Sequence, residues 1–269
     1  MGFDVKEYFP GVYHIGDAMG VCMTLLAGRH QAVLVDAGYG LESAGAAAAS
    51  LTDLPCRLIL THGHHDHALG AMGFDRVWMH PEDFGVYRTY TAPAQRKLVL
   101  ESARAKGFAV DEAAYLGAGM PEPQPIEEKM IDLGGLILQP VHCPGHTPGS
   151  LVFYVPEYRL LLTGDDWNPT TWLFFPEALP VAEYLRNMRR LLRDCPFAHA
   201  LCSHRQALYG RETVEAFFSG LTPACLNAAR LTDTGAARGI RTGLCEPAPG
   251  QELVFDLDKY QGESTDEGI

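Results

Sequence analysis

The amino-acid sequence predicts an α/β protein, and three observations carry that expectation. Short apolar runs of strand length recur and end in small-residue turns, as at Val21–Ala27, Ala32–Val35, Arg57–Leu60, Leu151–Val155 and Leu160–Leu162. Between them lie stretches of helix formers, clearest at 181–194, where Val181, Tyr184, Leu185, Met188, Leu191 and Leu192 recur at helical spacing. Finally, segments 21–38 and 151–166 share one plan: strand, turn, strand, then a loop of small and acidic residues (Asp36-Ala37-Gly38; Gly164-Asp165-Asp166). Each is followed by a helix and a short strand that ends at histidine, which suggests two βαβ-containing halves packed as one domain.

Taken in order, Val21–Ala27 and Ala32–Val35 form a hairpin across Gly28-Arg29-His30-Gln31. The alanine-rich Leu41–Ser50 is expected to be helical, Arg57–Leu60 a strand that stops at Thr61, and Arg76–Met79 another strand. From Pro81 to about Gly119 the pattern turns helical; Pro93 opens a helix through Lys106 that Gly107 can close. Gly117–Pro125 reads as a loop, and Met130–Val141 as two strand runs around Gly134-Gly135. Ala198–Cys202 is a last short strand, and Arg211–Ser219 a helix. The expectation is a single domain over residues 1–262, with a helical insertion at about 81–119 and a disordered tail at 263–269.

Composition removes several function classes. Of 269 residues, 47% are apolar, an ordinary proportion for a sizeable buried core. Lys and Arg total 21 against 33 Asp and Glu, a formal charge of −12 with no basic run, so nucleic acid is not an expected partner. No run approaches the roughly 18 apolar residues of a membrane span, so no membrane partner is expected. The opening MGFDVKEYFPGVYHIG lacks a basic start followed by an apolar stretch, so no secretory signal is expected. Seven scattered cysteines without a CxxC pair fit free thiols in a reducing compartment, which makes a cytoplasmic protein acting on a small molecule the expectation.

The chemistry concentrates in Thr61-His-Gly-His-His-Asp-His67. Neutral imidazole and carboxylate are favoured ligands of zinc and similar ions. In an extended segment, residues two apart point the same way, so His62 and His64 can grip one ion. Asp66 and His67, turning into a helix, aim at a displaced point suited to a second ion. Gly63 removes a side chain where the backbone is crowded. His146 in Cys143-Pro-Gly-His-Thr-Pro-Gly149, Asp165 after a strand and His204 after the last strand supply what this segment lacks. Strand ends converge on one edge of an α/β sheet, so the seven residues fit a two-metal site.

These motifs, His62-Gly-His-His-Asp-His67, Pro144-Gly-His-Thr-Pro-Gly149, Thr163-Gly-Asp165 and then His204, resemble in order and spacing those of the metallo-β-lactamase superfamily. The resemblance covers roughly residues 10–210 and implies a four-layer αββα sandwich. It implies that His62, His64 and His146 hold one metal, that Asp66, His67 and His204 hold the other, and that Asp165 bridges them. Two Zn²⁺ ions per chain are implied, with iron or manganese as alternatives. A hydroxide between the ions would attack an ester-type bond in a thioester, lactone or related small substrate, with Asp66 as the catalytic proton carrier. The bridging Asp165 and the missing signal argue against penicillin hydrolysis, and His64, where flavin-linked di-iron members carry an acid, argues against electron transfer. A mono-iron persulfide dioxygenase using His62, His146 and Asp165 remains an alternative, as does a non-catalytic metal-binding relative.

Other residues carry smaller expectations. His65 and His142 are assigned supporting or surface roles rather than ligation, and His14, His30, His80 and His199 structural or surface ones. Asp36 either orients a ligand or caps its loop. Cys143 and Cys202 are read as buried small residues. Asp166, Trp167 and Asn168 are expected at the pocket mouth, with Trp167 either a substrate platform or a core aromatic. Arg205 either holds a substrate carboxylate or makes a surface salt bridge. The insertion, with Phe84, Tyr87, Tyr90 and Tyr115, is expected to roof the site.

Overall fold

The computed structural model describes residues 2–260, and the tail expected at 263–269 lies outside them. The first sheet takes its seven strands in chain order: β1 (Asp4–Phe9), β2 (Val12–Gly16), β3 (Cys22–Ala27), β4 (Ala32–Val35), β5 (Cys56–Ile59), β6 (Val77–Met79) and β7 (Pro123–Pro125). The first four pair antiparallel, and β5, β6 and β7 add parallel. Helix α1 (Ala44–Leu51) crosses from β4 to β5, and α2 (His65–Ala68) follows β5. Helices α3 (Phe84–Tyr90), α4 (Pro93–Ala105) and α5 (Glu112–Gly117) fill the helical stretch before β7.

The second sheet begins with β8 (Ile131–Asp132), β9 (Ile137–His142), β10 (Leu151–Val155) and β11 (Leu160–Leu162). Strand β12 (Thr170–Leu173) departs, α6 (Val181–Asp194) crosses over, and β13 (His199–Cys202) returns beside β11 in parallel, with β14 (Arg205–Gly210) at the edge. Helices α7 (Arg211–Gly220) and α8 (Pro223–Asn227) lead to β15 (Arg230–Thr232), β16 (Thr242–Ala248) and β17 (Gln251–Asp256). These three and β12 make a third sheet in the order β12-β17-β16-β15.

Strands that are apolar throughout explain the layering, because successive side chains leave opposite faces and both must be covered. In β4, Ala32 and Leu34 join the core beneath Ala44 and Ala48 of α1, while Val33 and Val35 join the core between the sheets. In β10 the pattern is mirrored: Leu151, Phe153 and Val155 meet the first sheet, and Val152 and Tyr154 meet Tyr184 and Met188 of α6 and Phe217 of α7. Each such fully buried side chain contributes about 1.5–3 kcal/mol. The result is the αββα sandwich.

The third sheet was not foreseen. No element was expected between Ser219 and the tail, but Cys245, Leu253 and Phe255 of this sheet are buried in the core of α6 and α7. The proline-flanked β7, expected as loop, is the last strand of its sheet, where prolines are tolerated.

One buried polar group ties the sheets together near the site. His14 Nδ1 lies 2.9 Å from Thr24 Oγ1, and His14 Nε2 lies 3.4 Å from the carbonyl of Arg205, beside His204. Burial pushes the His14 imidazole from the usual 6.5 down to about 4. The folded chain therefore keeps His14 neutral between those values while the unfolded chain takes up a proton, so its contribution to stability falls as pH drops through that window. Replacing His14 by Gln should flatten the slope of unfolding free energy between pH 6.5 and 4 by up to about 1.4 kcal/mol per unit. Urea titrations across that range check this, and an unchanged slope would contradict it.

Candidate metal centre

The seven residues come from strand ends and turns on one edge of the sandwich. His62 and His64 follow β5, and His64 caps α2, whose first turn carries Asp66 and His67. His146 lies in the loop between β9 and β10, Asp165 just after β11, and His204 in the turn between β13 and β14. Gly63 is required where this segment passes α3, because a Cβ there would stand 2.4 Å from the Tyr87 nitrogen.

The outer partners of the imidazoles decide which nitrogens are bare. His146 Nδ1–H donates to the Trp172 carbonyl at 2.7 Å. His62 Nδ1 lies 2.9 Å from Thr61 Oγ1, and since that hydroxyl donates to Asp36, its oxygen accepts from His62. His64 Nε2–H donates to Glu177. Each histidine therefore turns an unprotonated nitrogen inward, and His64 Nδ1 lies 3.1 Å from His62 Nε2 and 2.9 Å from His146 Nε2. Three lone pairs aimed at one another repel unless a cation stands among them. Burial, reinforced by neighbouring His67, His64 and His146, pushes His62 well below its ordinary pKa. Burial beside His64 takes His146 to about 4, so both stay in the neutral, ligating form.

The second set is Asp66, His67, Asp165 and His204, with one donor atom from each within 4.8 Å of the others. His67 Nδ1–H donates to Asp36 Oδ2 at 2.9 Å, leaving its buried Nε2 with no hydrogen-bond partner. Asp165 Oδ2 reaches both sets, at 3.6 Å from His146 Nε2, 3.5 Å from His67 Nε2 and 3.0 Å from His204 Nε2. Burial would raise both carboxylates, but His204 and His67 hold Asp165 well below the usual range, and His67, His65 and His204 hold Asp66 at about 2. The orphaned nitrogen, the facing lone pairs and the ionised carboxylates fit two divalent cations.

Buried polar residues hold this arrangement. Asp36, in the left-handed region at φ 64°, accepts from Thr61 N and from Thr61 Oγ1 and His67, so it orients two ligands. Asp83 joins the two ligand loops: it accepts from Gly63 N and Gly149 N, each at 2.7 Å, and from Thr147 Oγ1 at 2.9 Å. Asn168 accepts from His204 N at 3.1 Å and donates to Asp165 Oδ1 at 3.1 Å. Neither Asp83 nor Glu177 stood out in the sequence, although Glu177 is a lone acid in the apolar run Trp172-Leu-Phe-Phe-Pro-Glu-Ala-Leu179.

Several expected neighbours lie elsewhere. Asp166 is buried behind the ligand loop, accepting from His146 N, and Trp167 is a core aromatic whose Nε1 donates to Gln251. Neither they nor the buried Asn168 form a pocket mouth, because Asn168 is tied to Thr171 of β12 by hydrogen bonds in both directions and all three side chains are buried. Arg205 makes no salt bridge among the described residues; it donates to the His204 carbonyl at 3.1 Å. His142 donates to the Pro148 carbonyl at 2.8 Å and stacks on His80, apart from both sets. Of the aromatic residues in the insertion, Tyr87 and Tyr115 are buried in core and Phe84 packs against it, whereas Tyr90, with His65 of α2, lines a chamber beside the centre.

A sandwich with paired His/Asp sets at its strand ends defines a class of metal-binding αββα protein. Residues 16–165, more than half of the chain, match the metallo-beta-lactamase superfamily, and the chain belongs to it. An uncharacterized protein of Mycobacterium tuberculosis (strain ATCC 25618 / H37Rv) is 33% identical over 145 residues, or 50% of this chain and 61% of that protein, so the match spans less than two thirds of that relative. Acyl-coenzyme A thioesterase MBLAC2 of Gallus gallus is 27% identical over 211 residues, 71% of each chain. Among solved structures, TTHA1623 in a di-iron-bound form aligns with a TM-score of 0.53 and 26% identity, over 73% of this chain and 92% of that one.

Asp83→Ala removes one acceptor for three buried donors and should cost about 2–5 kcal/mol in urea unfolding. It should also weaken metal uptake about 10–100-fold, as loss of an orienting partner does. Metal titration that gives wild-type affinity would show that the loops hold without it.

Proposed function

We propose that this chain is a metal-dependent hydrolase that cleaves an ester-type bond in a small thioester, lactone or related substrate, using two zinc ions. The observation that carries the reading is the convergence of three unprotonated imidazole nitrogens beside Asp165 Oδ2, which also faces the second donor set. His62, His64 and His146 would hold one ion and Asp66, His67 and His204 the other, with Asp165 shared. When bound, such ions supply a water acidic enough to ionise near neutral pH and a Lewis acid for the substrate carbonyl.

The chain's own groups do the rest. Asp66, ionised far below neutral pH, is placed to accept a hydrogen bond from the attacking water and pass its proton to the leaving group. Glu177 and the Trp172 carbonyl keep His64 and His146 in the required tautomers. A chamber of about 600 Å³, lined in part by Tyr90, Phe175 and Glu177, gives a small substrate room beside the centre. Imidazole and carboxylate donors favour zinc, and the thioesterase relative supports an acyl-transfer substrate. A mono-iron dioxygenase held by His62, His146 and Asp165 would leave His64 Nδ1 without a role, so the geometry favours the hydrolase. The seven free cysteines agree with a cytoplasmic location, and no helix among the described residues is long and apolar enough to cross a membrane.

Elemental analysis of protein purified without a His-tag or chelator should give about two equivalents of zinc. The same preparation should hydrolyse simple acyl thioesters or lactones. His64→Ala should lower the metal content and cut kcat by a factor on the order of 10² or more, while circular dichroism shows a folded chain. Near one equivalent of iron with persulfide-dependent oxygen uptake would replace this reading with the dioxygenase, and retained turnover in His64→Ala would refute the assigned centre.

A further inference from the structure

The chamber beside the metal centre has one feature the chemistry above does not use. Its metal-facing end is closed by Tyr90 and Phe175, whose rings lie 4.5 Å and 4.6 Å from that of His64. Its walls are largely apolar, with Leu98 and Val99 from α4 on one side and Phe174 and Ile240 on the other. Two ionic side chains line it, Glu177 and Arg238, and the Glu177 carboxylate is engaged by His64. Arg238 has no such partner: it is exposed, and no acid among the described residues pairs with it. In a chain with 33 acids against 21 Lys and Arg, an uncompensated arginine at a cavity needs an explanation.

The backbone at this point makes arginine an unexpected choice. Arg238 and Gly239 have φ values of 41° and 90°, and Ile240 N donates to the Ala237 carbonyl at 2.9 Å, the pattern of a type I′ turn. Such a turn favours Asn, Asp or Gly at its first central position, because a larger side chain is strained in the left-handed region. Ala237 is buried with Phe174 and Val254, which pins the turn to the chamber wall. A residue that opposes its local backbone preference at the rim of a cavity is a mark of function.

We propose that Arg238 binds a carboxylate of the substrate, so that this enzyme acts on short acyl chains carrying a second acid group away from the cleaved bond. The planar guanidinium fork suits a carboxylate, a single cation matches a single negative charge, and the apolar walls suit the methylenes between the two ends. This specificity rests on the hydrolase reading, but the binding of the anion does not.

The test compares glutarate with pentanoate on zinc-loaded protein by titration calorimetry, because both offer one carboxylate to the centre and only glutarate has another for Arg238. Wild type should bind glutarate about tenfold more tightly. Arg238→Asn, which suits the turn, should keep or raise Tm while bringing the ratio to about one, and Arg238→Lys, which keeps charge without the fork, should fall between. Glutaryl and pentanoyl thioesters of a neutral thiol should show the same ratio in kcat/KM. Equal binding of the two acids by wild type, or an unchanged ratio in Arg238→Asn, overturns the proposal. Arg238-dependent glutarate binding without hydrolysis of either thioester, or of simple lactones, supports the anchor and rejects the hydrolase reading instead.

Discussion

Everything at this centre depends on three bare nitrogens being held face to face. Imidazole lone pairs at 2.9–3.1 Å repel, and the side chains would rotate apart if their other nitrogens were free. They are not free. The Trp172 carbonyl, Glu177 and the Thr61 hydroxyl each accept a hydrogen bond from one ring; Trp172 and Glu177 share one run, and Thr61 lies more than a hundred residues before it. The ligand geometry is therefore a property of the packed sandwich and not of any one loop.

That requirement explains why so much charge is buried here. Asp36, Asp83, Asp165 and Asp166 are all nearly inaccessible, and an isolated buried carboxylate is expensive. Asp36 and Asp83 offset the cost by accepting several short hydrogen bonds from backbone and hydroxyl groups, and Asp165 by facing His67 and His204. Burial still raises Asp83, and burial with Asp165 and Asp83 near by raises Asp166 well above the usual carboxylate range. The centre thus has two carboxylates held low, Asp66 and Asp165, facing the donor nitrogens, and a raised carboxyl, Asp166, that accepts from His146 N.

The two halves of the sandwich contribute unequal things. The first sheet and its helices bring His62, His64, Asp66 and His67 on one short segment, already close in sequence. The second sheet brings His146, Asp165 and His204 on three separate turns, and its α6 and α7 anchor the added sheet. That sheet reaches the chamber through the Phe174, Ala237 and Val254 cluster, so elements far in sequence from the seven donor residues shape the chamber beside them.

The sequence by itself carried the α/β pattern and the candidate donor residues for local physical reasons, and the four-layer sandwich through the resemblance of its motifs. Strands apolar at every position must be covered on both faces, the helix at 181–194 has an unambiguous period, and seven ligand-type residues stand at strand ends in a recognisable order. What only the tertiary structure decided is everything set by contacts across long sequence separations. Asp83 meets Gly149 across 66 residues, Glu177 meets His64 across 113, and Gln251 meets Trp167 across 84. Asp166 was expected at the pocket mouth because it follows Asp165, and Trp167 either there or in the core, but both are buried, Trp167 as a core aromatic. The third sheet escaped notice because its strands, from Thr170–Leu173 and the stretch after α8, show no apolar run or period that marks them until their neighbours supply the pairing. Periodicity records which face of an element is apolar, and a ligand motif records which atoms are available; neither records what lies opposite, which is fixed only when the layers close.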